Sequence, residues 1–192
     1  MIATDFRALI VFVVTVAIWV AIEVDLGRRT RRATLTMTNH WSELAINTAT
    51  LVAVTAAVLL STSVPNGRIH PAGLAFVIGI ALMVGGIAIR TAAARSLGAY
   101  YTLSIGIQSG QAIYCQGLYR WVRHPGYAGT LMALLGLSLA LGNWYSVAAI
   151  AVIVPALVAR IALEERMLSR ALGGEYQTYC GRTRWRLLPG VV

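Results

Sequence analysis

Four apolar stretches of this chain carry no charged side chain. Residues 8–21 form one; residues 44–65, 71–89 and 126–159 are longer and equally uncharged. A helix that crosses a bilayer needs about 20 mostly apolar residues. Charged residues make up only 12% of the chain and hydrophobic residues 58%, against about a quarter and about half in soluble domains. The bilayer is therefore the solvent in which this chain folds.

The N-terminus does not read as a cleaved signal peptide: Asp5 precedes the first run, and the run outlasts a signal-peptide core. We read an all-α integral membrane bundle with five spans, at residues 7–26, 44–64, 72–94 and 127–141, and from 144 onward. It forms one membrane domain, in which residues 1–70 supply the first two spans and residues 71–192 the rest.

The charges orient it. All sixteen basic residues are arginine. With five alternating spans, fourteen of them fall on one side and only Arg7 and Arg68 on the other. The positive-inside rule then puts the N-terminus outside and the C-terminus in the cytosol, as in a cell (inner) membrane. Arginines gathered at helix ends suit anionic lipid headgroups and not a nucleic-acid groove. The two cysteines fall in cytosolic segments, where a disulfide is not expected, and with the three histidines they make no metal-binding spacing.

Gly142-Asn143 makes a tight turn between the last two spans, which predicts a helical hairpin. Gly129, Ala133, Gly136 and Ala140 put small residues on one face of the fourth span, where another helix can approach closely. The last helix runs from Trp144 to Leu172 with a kink at Pro155 and a stop at Gly173-Gly174. Its length of about 43 Å exceeds a hydrocarbon core of roughly 30 Å. Counting about 20 residues from Trp144 brings Glu164 and Glu165 out at the cytosolic surface.

Two polar constellations enter and leave this hairpin at that surface. One is Tyr119-Arg120-Trp121-Val122-Arg123-His124-Pro125-Gly126-Tyr127. The other is Arg160 with Glu164-Glu165, followed by Tyr176 and Tyr179. Convergence of polar groups from separate stretches at one membrane face is what a site requires. Pro125 is suited to open a helix, and it leaves His124 at the helix N-terminus, where anionic groups are favoured. Arg160 and Glu164, four apart, share a helical face; alone they read as a surface ion pair.

The pattern Gly117-x-Tyr119-Arg120-x-x-Arg123-His124-Pro125-x-Tyr127-x-Gly129 resembles the signature of the isoprenylcysteine carboxyl methyltransferase family and its phospholipid methyltransferase relatives. Arg160-x-x-x-Glu164-Glu165-x-x-Leu168 is similar to the family's second block. Gly173-x-Glu175-Tyr176-x-x-Tyr179, with Leu188-Pro189, is similar to its tail, and Leu97-Gly98 to the start of its cofactor region. The first two spans carry none of it. The resemblance implies S-adenosylmethionine as methyl donor, released as S-adenosylhomocysteine and held on the cytosolic face by the hairpin ends and tail. The implied cofactor-binding residues are Leu97, Gly98, Gln111, Tyr119, Arg123, His124, Pro125, Tyr127, Glu164, Glu165, Tyr176 and Tyr179. Arg160 and Glu164 are the implied catalytic pair, with Arg160 orienting an acidic substrate. Gln111 stands where the family often has a histidine.

The acceptor is expected to be a lipophilic small molecule or lipidated group that enters from the membrane lipid. A carboxylate is ionised at neutral pH and needs alignment more than a general base; an amine or thiol acceptor would also have to lose a proton. Composition rich in Ala, Gly and Arg without Lys has a bacterial cast. Two other classes stand beside this reading. Membrane sterol reductases share an Arg-His-Pro-x-Tyr block and bind a nicotinamide cofactor, but carry an acidic residue where this chain has Thr130. A lipid-binding scaffold could keep the fold without the chemistry. A transporter is disfavoured, since no ionisable residue is expected deep in a span. Glu23 and Asp25 are expected at a helix boundary near Arg28.

Overall fold

The computed structural model describes residues 5–32, 35–108, 110 and 112–190, with backbone alone at residues 31, 32, 35–38 and 40. The described chain is mostly helical. Its helices are α1 (Phe6–Arg32), α2 (His40–Ser63), α3 (Ala72–Leu97), α4 (Pro125–Ala140), α5 (Trp144–Ala149) and α6 (Ile153–Arg182). An antiparallel ribbon of β1 (Leu35–Thr38) and β2 (Gly106–Gln108) is added to the expected all-α bundle. It ties the loop after α1 to the loop after α3.

Four helical stretches are long and apolar enough to cross a membrane: Phe6–Thr30, Trp41–Ser63, Ala72–Tyr100 and Trp144–Arg182. The shorter apolar helix, Pro125–Ala140, spans about 24 Å at 1.5 Å per residue. Leu9, Val13, Leu51, Leu59 and Val77 all point outward, a surface that hydrocarbon accepts and water does not.

The closest packing is between α3 and α4. A Cβ built on Gly86 would lie 2.5 Å from the Ala133 backbone nitrogen, and one on Gly79 would lie 2.4 Å from that of Ala140. Gly129 and Gly136 meet the backbone of Gly86, Arg90, Gly79 and Met83 in return. The small-residue face of α4 thus has α3 as its partner. Where lipid is as apolar as the side chains, such backbone contact gives helices their association energy through dispersion. Beyond it, Leu134 of α4 packs with Ala53 of α2 and with Ile150 and Ile153.

The α4–α5 turn has Gly142 at φ +73°. The buried Asn143 caps α5 through Tyr145 N and donates to the carbonyls of Leu60 and Val64, fastening the end of α2. A 3₁₀ turn at Ile150–Val152 separates α5 from α6 just before Pro155, which cannot donate to a carbonyl one turn back. Gly173 differs from expectation. At φ +54° and ψ −128° it redirects the helix, which resumes and runs to Arg182.

Candidate active site

Pro125 opens α4 and leaves His124, 6% exposed, as the residue before it. The segment that follows α6 fixes its backbone. Trp185 pairs with Val122 in a parallel bridge, Arg123 N donates to Trp185 O, and His124 N donates to Arg186 O, both at 2.9 Å. His124 Nε2 lies 3.3 Å from Glu165 Oε1. The same carboxylate takes Arg123 at 2.9 Å and Arg186 at 3.0 Å. Glu165 is therefore a hub joining α6, the start of α4 and the tail, and both its oxygens are in use.

Glu164 faces a different way. Its Oε2 accepts a 2.7 Å hydrogen bond from the Tyr127 hydroxyl, and that hydroxyl accepts one of 2.9 Å from Arg160 Nε. Arg160 is 4% exposed and lies 5.8 Å from the centre of the Tyr127 ring. It also donates to Ser42 Oγ and to the Leu103 carbonyl. Among the described residues no carboxylate lies within 4.0 Å of its guanidinium. The expected Arg160–Glu164 pair is thus mediated by the hydroxyl of Tyr127, which α4 contributes.

Three cavities surround this chain of bonds. The first is lined by Tyr101, Thr102, Tyr119, Arg123, His124, Tyr127 and Glu164. A second shares Tyr119, Arg123, His124 and Glu164 with it and adds Leu97, Tyr176 and Tyr179. At about 100 and 70 Å³ each is small, and they share the wall formed by Tyr119, Arg123, His124 and Glu164. The third lies on the other side of Tyr101 and Tyr127; it measures about 310 Å³ and is lined by Arg160 and residues of α1 to α4.

Buried polar atoms test whether the first two cavities suit a cofactor with amino, carboxyl and hydroxyl groups. Arg123 Nε and the Tyr176 hydroxyl are buried with no partner, and such groups are costly unless a ligand or water completes them. With the free oxygen of Glu164 they supply donors and an acceptor in one place. Burial pushes the Tyr119 phenol up, so it stays a neutral ring in this wall. The donor set fits S-adenosylmethionine.

Eight of the expected cofactor residues line the first two cavities: Leu97, Tyr119, Arg123, His124, Tyr127, Glu164, Tyr176 and Tyr179; Glu165 lines neither and reaches them only through His124 and Arg123. Tyr179 acts by pinning the Tyr119 carbonyl at 2.8 Å. Gly98 and Pro125 line none of these cavities. Gly98 ends α3 at φ +56°, and Pro125 starts α4. Gln111 lies outside the described residues. Sequence reasoning missed Tyr101, Ser42, Leu103 and Arg186. It also placed Glu23 near Arg28, whereas Glu23 pairs with Arg90 of α3, and it is Asp25 that pairs with Arg29. Arg90 is itself inside α3 and buried, so ionisable groups do lie within the apolar helices. An arginine interrupting an apolar run was the available signal, since it demands a partner.

Residues 77–170 match the model of the Isoprenylcysteine carboxyl methyltransferase (ICMT) family. The chain is 34% identical over 104 residues to Protein-S-isoprenylcysteine O-methyltransferase A of Arabidopsis thaliana, covering 53% of this chain and 53% of that protein. It therefore spans about half the length of this relative. It is 28% identical over 156 residues to a probable protein-S-isoprenylcysteine O-methyltransferase of Oryza sativa subsp. japonica, covering 80% and 78%. In fold it is similar to the eukaryotic intramembrane Ras methyltransferase ICMT, with a TM-score of 0.60 and 21% identity over 76% of this chain and 52% of that one. These curated relatives are plant proteins and do not support the bacterial cast of the composition.

Proposed function

We propose that this chain, whose residues 77–170 match the model of the isoprenylcysteine carboxyl methyltransferase family, is an integral membrane methyltransferase that uses S-adenosylmethionine to esterify the carboxylate of a lipophilic acceptor. One observation carries the reading. Tyr127 stands as a wall between a cavity with Glu164, His124 and unpartnered donors and a cavity with the unpaired cation Arg160.

The cofactor-side residues are Leu97, Tyr119, Arg123, His124, Tyr127, Glu164 and Tyr176. Glu164 suits the ammonium end of the cofactor, and Arg123 Nε and the Tyr176 hydroxyl suit its carboxylate. Glu165, held by Arg123, His124 and Arg186, positions His124 and does not itself reach a ligand. When bound, S-adenosylmethionine supplies a methyl group on a cationic sulfur that leaves as a neutral thioether. Arg160 would draw an acceptor carboxylate to the Tyr127 wall and hold one oxygen forward. Burial of Arg160 strips water from that carboxylate, which makes it a better nucleophile and leaves no proton to remove. An amine or thiol acceptor would be repelled or left unaligned by the same guanidinium.

The membrane topology belongs to this proposal. Five crossings, with α4 as the short one, put twelve arginines on the cytosolic face together with Glu164, Glu165 and the tail, and leave Arg90 and Arg160 buried within the bundle. Residues 1–70 add two helices to the family segment and close the acceptor cavity.

Membranes containing the protein, given methyl-labelled S-adenosylmethionine and a lipid extract, should form base-labile methyl esters that release labelled methanol. Label that appears only in base-stable products would transfer the reading to nitrogen or sulfur methylation. No label in any lipid or protein would refute it.

A further inference from the structure

The acceptor cavity of about 310 Å³ is at the lower end of the size range for ligand sites. Four charged side chains line it: Glu23, Glu43, Arg90 and Arg160. Two of the four come from α1 and α2, outside the segment that matches the family.

Their pairing is unequal. Glu23 grips Arg90 at two points, Oε2 to Nη2 at 2.8 Å and Oε1 to Nε, and Trp19 Nε1 donates to the same carboxylate at 3.2 Å. Arg90 also donates to Thr130 Oγ1 at 2.8 Å and to the Gly126 carbonyl. Four of its five N–H groups are engaged inside the protein and its charge is cancelled at contact. Glu43 accepts from Ser104 Oγ at 2.6 Å and lies beyond ion-pair distance of any arginine among the described residues. Of the two arginines, Arg160 alone keeps an open charge among the described residues, and with three of its five N–H groups engaged it retains two for a ligand.

The neighbourhood of a membrane surface is crowded with phosphate. Two open arginines in a desolvated cavity would make a strong dianion site, because a bidentate guanidinium suits phosphate as well as carboxylate. One open arginine beside an unpaired glutamate favours a single negative charge. We propose that Glu23 of α1 sets the charge this cavity accepts: by neutralising Arg90 it leaves Arg160 as the one cation available, so the cavity admits a monocarboxylate and turns away phosphate monoesters. Glu23 acts through Arg90 and is a positioning residue for the acceptor. The inference rests on the acceptor reading of this cavity.

The test uses two probes of equal tail length, octanoate and octyl phosphate, at pH 8, where the phosphate is a dianion. Binding of each to the full-length, detergent-purified protein is measured by calorimetry, with S-adenosylhomocysteine titrated into the same samples. The unaltered protein should prefer octanoate. Glu23→Gln frees Arg90 and should tighten octyl phosphate at least tenfold. Arg90→Gln leaves Glu23 unpaired and should weaken octanoate at least tenfold. The double variant, neutral at both positions, should restore the original preference. A merely structural pair predicts the opposite pattern, with both single variants weakening both probes alike, and that result overturns the inference, as does a Glu23→Gln protein whose preference is unchanged. Should one single variant not fold, the other and the double variant still carry opposite expectations. Loss of S-adenosylhomocysteine binding by the unaltered protein would sink the function and not the charge rule, while adenosyl binding with an unmoved probe ratio would sink the charge rule alone.

Discussion

The Tyr127 hydroxyl is one atom that touches both halves of the proposed reaction. It donates to Glu164 on the cofactor side and accepts from Arg160 on the acceptor side. Hydrogen bonds to charged partners are worth about 1.5–3 kcal/mol each. Tyr127→Phe should therefore lower methyl transfer roughly 10- to 100-fold. The ring remains, so affinity for S-adenosylhomocysteine should change less than about threefold; an equal loss in both would make Tyr127 a cofactor residue only. Arg160→Lys keeps the charge but loses the fork that reaches Tyr127, Ser42 and Leu103 together. It should raise the acceptor KM at least tenfold, measured at saturating cofactor. Legibility at this scale followed sequence distance. His124 before Pro125, and Arg160 one turn from Glu164, can be read from local spacing. The Glu23–Arg90 pair cannot, because 67 residues separate its members and several acidic residues compete for the role.

At the scale of elements, the α3–α4 seam has almost no tolerance. A side chain at Gly86 or Gly129 would collide with backbone atoms at 2.5–2.6 Å, whereas one at Gly85 meets only the flexible end of Met132. Gly86→Leu should cost about 3 kcal/mol or more, at or above the upper end for overpacked cores. It should lower the Tm well below that of Gly85→Ala; equal melting would contradict the seam. Gly173→Ala should cost roughly 1–3 kcal/mol, since Gly173 sits at φ +54° and ψ −128°, a sparsely populated region that strains a Cβ. It should weaken adenosyl binding as well, because Tyr176 and the tail lie beyond that bend. The small-residue face of α4 was legible from its four-residue spacing, and its partner was not, because spacing on one helix says nothing about which neighbour fills it. Gly173 was legible as a break. Its resumption as helix was not, because the contacts that hold Tyr176 and Tyr179 come from residues far upstream.

The whole molecule divides labour along the chain. The segment that matches the family supplies Tyr127, both buried arginines and most of the proposed cofactor wall, to which Tyr176 and Tyr179 are added from beyond it. The first two helices supply carboxylates, a tryptophan and the far wall of the proposed acceptor cavity. Membrane burial was legible at once, because uncharged runs of this length have no other solvent. The arrangement of α1 and α2 around the site was not, since lipid-facing helices carry little pattern to distinguish one face from another. The central claim is that the polar cluster at the end of the bundle holds an adenosyl cofactor. Calorimetry of the detergent-purified protein with S-adenosylmethionine, S-adenosylhomocysteine and NADPH tests it most directly. The account predicts micromolar binding of both adenosyl compounds, none of NADPH, and at least tenfold weaker adenosyl binding in His124→Ala and Glu164→Ala. Binding of NADPH alone, or adenosyl binding that neither substitution disturbs, would contradict it.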